Sequence, residues 1–350
     1  MPELSPGQQW EVDATLVDPE GLVARTTGAT DNGRRPISGP GIAAIAAAVP
    51  ERVVENDELA RPLGVDSEWI SSRTGIHRRR RVSGESLVDL AALAGSDALA
   101  MAELEPVEVD LVMVATFTPD QLQPHAAPLV AARLGAKSAG AMDVGAACTG
   151  FLSALSLATA QLESARARAA LVVGAEVLSG VTDYGDRRTA GLFGDGAGAA
   201  VITPNGPGLI GPIALRSDGA RGDLIQATHE ERLVRMDGRA TFRAAVAAMS
   251  DVTQEVVSDA GLALEEIDLF VYHQANSRII SAVGERLDLP ADRVIDCLAD
   301  YGNTSAASIP IALAQAAGRG LLRKGSRVLL SAFGAGLTWG AGIVEWEGAA

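Results

Sequence analysis

The amino-acid sequence predicts an α/β protein made of two duplicated halves, and three observations carry that prediction. From Gly41 onward, short apolar strands alternate with Ala-rich helical stretches, the pattern of a layered α/β architecture. Segments of the first half recur downstream, in the same order and at a nearly constant spacing. The 350 residues are 47% hydrophobic and 21% charged, enough apolar material for roughly two domain-sized units.

Along the chain, residues 1–39 carry scattered Gly, Pro, Asp and Arg without any period. They read as an N-terminal extension, expected to be flexible, rather than as a domain. The first half is expected over 40–206 and the second over 207–350. Ala102-Glu-Leu104, Glu108-Val-Asp-Leu111 and an apolar strand are mirrored by Ala260-Gly-Leu262, Glu266-Ile-Asp-Leu269 and another apolar strand, so that Asp110 maps onto Asp268. Next, Ala141-Met-Asp-Val-Gly-Ala-Ala-Cys148 reads as a short strand and a tight small-residue turn, entering a helix that begins at the sulfur. Its expected counterpart is the turn at Asn303. Ala170–Gly174 then pairs with Val328–Ala332, and Gly196-Ala-Gly198 pairs with Gly340-Ala-Gly342. Packing two such halves by pseudo-symmetry would bring the Cys148 and Asn303 turns to a shared centre. His273, which closes the apolar strand Leu269–Tyr272, would reach the same cleft.

Charge and cysteine usage exclude several functions. The formal net charge of −15 argues against nucleic acid as a main partner, because phosphate binding needs a positive footprint. The densest basic run, Arg78-Arg-Arg-Arg81, reads as a solvated face or loop. No apolar run reaches the roughly 18–20 residues needed to cross a bilayer, and the N-terminus lacks the basic-then-apolar order of a signal peptide. Two cysteines, Cys148 and Cys297, allow neither a disulfide framework nor a multi-cysteine metal site, and a cytoplasmic location is expected. Cys297, in Val-Ile-Asp-Cys-Leu, alternates like a strand residue and reads as a packed thiol.

Cys148 admits two readings. Cysteine is often just a small buried side chain. A thiol at a helix N-terminus, however, is favoured as thiolate by the helix dipole, and the flanking small residues leave a substrate room to approach. Of the four histidines, His77, His125, His229 and His273, only the last ends a strongly apolar strand and opens a polar segment, His273-Gln-Ala-Asn276-Ser-Arg278. Taken alone, His273 reads equally as a satisfied polar group at a strand end, and Asn303 as a turn or cap residue.

Six motifs together carry a resemblance. They are Asp66-Ser-Glu-Trp69-Ile-Ser-Ser-Arg73-Thr-Gly-Ile76, Asp143-Val-Gly-Ala-Ala-Cys148-Thr-Gly-Phe151, Phe193-Gly-Asp-Gly-Ala-Gly-Ala-Ala200, His273-Gln-Ala-Asn276, Tyr301-Gly-Asn-Thr304 and Phe333-Gly-Ala-Gly336. In this order, over about residues 41–346, they resemble the β-ketoacyl-acyl-carrier-protein synthase III family of the thiolase superfamily. The resemblance implies a thiolase fold, with duplicated halves in five layers, α-β-α-β-α, and a homodimer. It also implies a condensing enzyme of fatty-acid or polyketide biosynthesis. An acyl group from acyl-CoA would load onto Cys148 and be extended by malonyl-acyl carrier protein with loss of carbon dioxide, with no cofactor, metal, membrane or nucleic acid required. The alternative is a non-decarboxylating acyltransferase moving the acyl group to an alcohol, amine or carrier-protein acceptor.

By the same resemblance, His273 and Asn303 would donate hydrogen bonds to the malonyl thioester carbonyl, and the backbone amides of Cys148 and Ala335 would form an oxyanion hole. Trp69 and Arg187 would sandwich the adenine of coenzyme A. Arg73, Gly238, Phe242 and Asn276 would line the pantetheine tunnel, and Arg243 and Arg278 would meet the carrier protein. Gln123 and Phe333 would shape the acyl pocket. The chain departs from the family pattern at Gln123, where many bacterial members place an aromatic residue that reaches across the dimer. It departs too in the short segment Ser217–Met236, in residues 1–39, and at Ala335, which stands in place of a glycine. These departures point to a specialised starter-unit enzyme.

Overall fold

The computed structural model describes residues 39–348. The extension expected over 1–39 therefore lies outside the described residues, except for its last one. The first half runs β1 (Gly41–Ala48), β2 (Val53–Glu55), α1 (Asn56–Leu63), α2 (Ser67–Thr74), β3 (Arg78–Arg80), α3 (Leu87–Met101), β4 (Leu111–Ala115), α4 (Ala126–Leu134), β5 (Gly140–Val144), α5 (Gly150–Glu163), β6 (Ala170–Glu176) and β7 (Gly196–Thr203). The second runs β8 (Gly208–Ser217), β9 (Ile225–Ala227), β10 (Val234–Met236), α6 (Gly238–Asp259), β11 (Leu269–Tyr272), α7 (Ser277–Leu287), α8 (Leu298–Tyr301), α9 (Ser308–Gly318), β12 (Arg327–Gly334) and β13 (Thr338–Trp346).

The duplication is visible in the sheet. Its strand order is β11-β12-β13-β8-β1-β7-β6-β4-β5. Outward from the centre, β1-β7-β6-β4 and β8-β13-β12-β11 follow one plan: two antiparallel steps, then a parallel one. The halves join where β1 pairs with β8, at Gly41 with Leu209 and Ile42 with Gly208. The counterpart of β5 shrinks to a single bridge, Phe270 with Val294. Cys297 consequently lies at the start of α8 and not on a strand, although it is buried as expected.

Side-chain alternation builds the layers. On β6, Leu171 and Val173 join an outer cluster with Leu90, Leu99 and Val130 of α3 and α4, while Val172 faces inward. On β12, Leu329 and Phe333 pack with Met249, Val256 and Ile280 of α6 and α7, while Val328 and Leu330 face inward. Between the inward faces lie α5 and α9, with Phe151, Leu155, Ile309 and Leu313 in one cluster with both sets of strands. The order is α-β-α-β-α. Strands covered on both faces read as unbroken apolar runs, which is why β4 and β6 stood out in the sequence.

One expectation about the symmetry is corrected. Helices α5 and α9 both follow a turn containing a residue in the left-handed region, Ala147 with φ 44° and Ser305 with φ 47°. These two residues, like Asp110 and Asp268, are separated by the spacing of the repeat. The counterpart of Cys148 is therefore Ala306, not Asn303, which corresponds to Gly145 on the approach to the turn. A second correction concerns the basic run. In the ribbon of β2 and β3, alternation turns Arg79 inward, where its guanidinium donates to the carbonyls of Val54 (3.1 Å) and Gly191 (2.8 Å). Arg78 faces out and meets Asp300 at 2.8 Å.

A Cβ at Gly174, on β6, would overlap the carbonyl of Ala306 in the turn ahead of α9, whereas one at Gly219 would meet nothing within 4 Å. Gly174→Ala is expected to destabilise the fold by about 3 kcal/mol or more, the upper range of overpacking. Gly219→Ala should change stability by less than about 0.5 kcal/mol. Urea denaturation of both variants checks the contrast.

Candidate active site

A cavity of about 760 Å³ reaches from the protein surface to Cys148. Its inner wall contains Cys148, His273 and Asn303, together with Phe117, Leu178, Phe333, Gly334 and Ala335. Its mouth carries Trp69 and five arginines, Arg73, Arg187, Arg188, Arg239 and Arg278. The structure thus brings the three reactive groups expected from sequence to one enclosed space.

Cys148 sits in the 3-10 turn Ala147–Thr149 that leads into α5. The backbone of β12 passes close by, and a Cβ on Gly334 would fall 2.9 Å from the backbone nitrogen and Cβ of Cys148. The thiol is not acidic. Burial pushes it up to about 11, against a hydrogen bond with the Ser305 hydroxyl that lowers it, and the charge of Glu176 adds to the rise. The easing expected from the helix N-terminus is outweighed by desolvation.

His273 continues from β11, its backbone N–H donating to Ser331 O at 2.8 Å. Burial lowers the imidazole to about 3, so the ring is neutral at pH 7. Its Nδ1 lies 2.7 Å from Ser308 Oγ, the first residue of α9, and that oxygen also accepts from the Gln274 N–H at 3.1 Å. With one bond accepted, the buried hydroxyl satisfies its own proton by donating to Nδ1. That leaves the ring proton on Nε2 and makes His273 a neutral hydrogen-bond donor.

Asn303 is pinned by the segment Phe193–Gly194. Its N–H donates to Leu192 O at 2.9 Å, and its carbonyl accepts from Gly194 N at 3.0 Å. Gly194 is needed there because a Cβ would overlap the Tyr301 carbonyl. The buried Asp195 anchors the same segment by accepting from Val82 N, Ser179 N and Ser179 Oγ. The Asn303 Oδ1 accepts from Ser305 N at 2.9 Å, so the side chain has its NH2 left to offer. Two neutral donors, His273 and Asn303, thus share the cavity with a nucleophile, an arrangement suited to a developing oxyanion.

At the mouth, Asp66 caps α2 by accepting from Trp69 N at 2.7 Å, and Arg73 stacks on the indole at 4.4 Å. Arg187, which lines the same mouth, donates to Leu63 O at 2.7 Å. Asn276 donates to Arg73 O, and Arg278 to Ser72 O, tying the start of α7 to the end of α2. Gly238 and Phe242, on the first turns of α6, and residues of the β9–β10 ribbon complete the wall. Ala335 lines the cavity without a positive φ, so its replacement of glycine carries no strain. Two expected residues do not line this cavity. Arg243 is exposed on α6 outside the cavity, and Gln123 is exposed on a loop, 2.9 Å from His125 Nε2.

Sequence reasoning missed Ser308, Ser305 and Glu176. Glu176 carried a signal, being an acidic residue at the end of a seven-residue strand that is otherwise apolar and wholly buried.

Comparison with known proteins gives one family. Residues 142–219 match the model for 3-oxoacyl-[acyl-carrier-protein] synthase III, and residues 257–346 match the model for its C-terminal part. The chain is 45% identical over 316 residues to β-ketoacyl-[acyl-carrier-protein] synthase III 2 of Streptomyces coelicolor, covering 89% of this chain and 95% of the relative. The structure of 3-oxoacyl-[acyl-carrier-protein] synthase III from Aquifex aeolicus is similar with a TM-score of 0.86 at 41% identity, over 88% of this chain and all of that one. The priming β-ketosynthase of the R1128 polyketide pathway is similar with a TM-score of 0.85 at 35% identity, over 93% and 100% of the two chains.

The burial of His273 leads to a prediction. Its imidazole is expected to remain neutral at pH 5, because its folded value lies near 3. A heteronuclear NMR titration should show no ring protonation between pH 8 and 5; a midpoint near 6.5 would contradict the desolvation argument.

Proposed function

The chain belongs to the 3-oxoacyl-[acyl-carrier-protein] synthase III family, and from that premise we propose that it primes fatty-acid or polyketide synthesis by joining an acyl-CoA to malonyl-carrier protein. The observation that carries the residue roles is the pair of neutral donors, His273 and Asn303, in one cavity with Cys148.

The reaction proceeds in two transfers. Cys148 sulfur attacks the thioester carbonyl of acyl-CoA and gives up its proton, with the backbone amides of Cys148 and Ala335 holding the tetrahedral oxyanion, and coenzyme A departs as the free thiol, having taken up one proton. Malonyl-carrier protein then enters the emptied tunnel. Its thioester oxygen accepts from His273 Nε2–H and Asn303 Nδ2–H. As the carboxylate leaves as carbon dioxide, the electron pair becomes an enolate stabilised by those donors. The enolate carbon attacks the acyl group on Cys148, forming the carbon–carbon bond and freeing the sulfur. A neutral imidazole suits this role, since a donor that keeps its proton stabilises the enolate without quenching it.

The mouth fits the donor substrate. Arginines beside an indole suit a phosphate-bearing, aromatic group such as the nucleotide end of coenzyme A. In this reading Trp69 and Arg187 bind adenine, Arg73, Gly238, Phe242 and Asn276 guide the pantetheine arm, and Arg243 and Arg278 meet the carrier protein. Gln123 and Phe333 bear on acyl choice. A homodimer, a cytoplasmic location and the absence of a cofactor belong to the same proposal. Among the described residues, no helix is long and apolar enough to cross a membrane.

Incubation with acyl-CoA and malonyl-carrier protein, followed by mass spectrometry and carbon dioxide measurement, tests the assignment. Cys148→Ser should abolish stable acylation. Asn303→Ala and His273→Ala should spare acylation while slowing condensation by about 10²–10³-fold, the usual cost of one oxyanion donor. Acyl-Cys148 formed with no decarboxylation in the unaltered protein would favour the plain acyltransferase instead. Trp69→Ala should raise the KM for acyl-CoA by about 2- to 10-fold with kcat nearly constant, in line with the loss of one aromatic stack.

A further inference from the structure

Two threonines join the halves of the fold beside the nucleophile. Cys148 belongs to the turn that opens α5, and Ala335 to the hairpin between β12 and β13. The ladder of β12 runs to β11 and β13 and does not include that turn. Thr149 directly follows Cys148 and is buried, while Thr338 begins β13 and is half-buried. Their hydroxyl oxygens lie 2.8 Å apart across the junction. Thr338 Oγ1 is also 3.0 Å from the Ala335 carbonyl oxygen, and Thr149 Oγ1 is 2.8 Å from that of Ala146.

The proton count fixes the direction of this chain. Two hydroxyls bring two protons to three short contacts. The Ala146 carbonyl already accepts the Thr149 N–H at 3.1 Å, so it does not depend on a hydroxyl. One assignment serves every acceptor: Thr149 Oγ1 donates to Thr338 Oγ1, and Thr338 Oγ1 donates to Ala335 O. Nor is the Thr149 hydroxyl needed to start the helix. At the spacing of the repeat its equivalent is Ala307, which makes the same 3-10 turn ahead of α9 with no side-chain oxygen, its N–H donating to Thr304 O at 3.0 Å. On the other side of the junction, Gly334 is in register with Thr338 and packs its bare backbone against Cys148. Ala335 is therefore held from both sides, by Gly334 before it and by Thr338 at its carbonyl.

We infer that Thr149 and Thr338 are positioning residues for the oxyanion hole: their hydroxyl chain sets the separation of the Cys148 and Ala335 N–H groups. Those two donors come from different halves, yet both must point at one oxygen as the thioester carbonyl becomes tetrahedral. A misplacement of about 1 Å in such a group can cost about 100-fold in rate. Neither threonine lines the cavity, although Cys148, Gly334 and Ala335 do, so the pair acts only through the amides it holds. This role rests on the reading in which Cys148 takes the acyl group and the two amides hold its oxyanion.

Two reactions of the same sulfur separate this role from mere packing. Transfer from an acyl thioester passes through an oxyanion, whereas alkylation by iodoacetamide displaces iodide without one. Both are followed on the full-length protein by peptide mass mapping, with acetyl-, butyryl- and hexanoyl-CoA as acyl donors. Thr149→Val and Thr338→Val should each slow acylation by about 10- to 100-fold and leave alkylation nearly unchanged. Thr338→Ser, which keeps the oxygen, should restore most of the lost acylation rate. The double valine variant should be no slower than the slower single one, because the hydroxyls form one chain. Unchanged acylation in a folded valine variant, equal loss in both reactions, or a serine variant as slow as valine would overturn the inference. If Thr149→Val does not fold, judged by circular dichroism, Thr338→Val at the half-buried position decides alone. An unaltered protein that is alkylated but not acylated would instead refute the reading of Cys148, and the role of the threonines with it.

Discussion

The structure depends on a reciprocal contact in which a strand of each half presses its backbone against the turn of the other. Gly334, on a strand of the second half, leaves no space between itself and Cys148 in the first. Gly174, on a strand of the first half, likewise abuts Ala306 in the second. Both contacts need a residue without a Cβ, and both fix a turn whose left-handed residue starts a central helix. At the spacing of the repeat, the position equivalent to Gly334 is Glu176. The two centres have therefore diverged: around Cys148 the position is a bare backbone beside an open cavity, while beside Ser305 it carries a carboxyl. Only one of two similar turns is open to substrate, and the other holds polar groups that reach back to it.

Desolvation then sets the electrostatics of the whole centre. Burial raises Cys148 and Glu176 and lowers His273, so each is pushed toward its neutral form. The consequences for stability oppose one another. Below about 6.5 the unfolded chain protonates His273 while the folded chain resists until about 3, so this residue costs stability as the pH falls through that window. Glu176, raised from 4.5 to about 7, binds its proton first in the folded chain; the stability it contributes is present below 4.5 and is lost as the pH rises to about 7. In mild acid the two effects offset one another, so the centre loses less stability than His273 alone would cost.

Much of this architecture was legible in the sequence because the repeat preserves small structural duties. Asp110 accepts from Arg168 N at 2.7 Å and Asp268 from Arg327 N at 2.8 Å, while Glu108 and Glu266 close the loops before them through Glu105 N and Ala263 N. Those acidic residues marked the repeat. What the sequence could not show was depth. The pairing of Cys148 with Asn303 matched two reactive residues, whereas the fold repeats backbone, and the backbone pairs Cys148 with Ala306. Arg79 looked like one of four solvated arginines until strand alternation turned it inward. Gln123 looked like part of the acyl site, but a single chain leaves it on an exposed loop. Glu176 meets Ser305, 129 positions away, a contact that no local pattern announces.

Global and local charge point in opposite directions, and distance decides which governs the mouth. The chain carries a formal net charge of −15, yet five arginines line the entrance. At physiological ionic strength the screening length is about 8 Å, so the summed negative charge fades within one or two side-chain lengths of the surface. A phosphate approaching the mouth responds to the guanidinium groups close to it more than to carboxylates on the far side. Arg188 is partly compensated by Asp186 at 2.8 Å, whereas Arg73 is stacked on Trp69 and Arg278 donates to a backbone carbonyl, so both of these keep their positive charge for an incoming anion. The acidic composition that argues against nucleic acid is therefore compatible with a binding site for a nucleotide thioester, because the positive potential is confined to the few ångströms where the thioester enters.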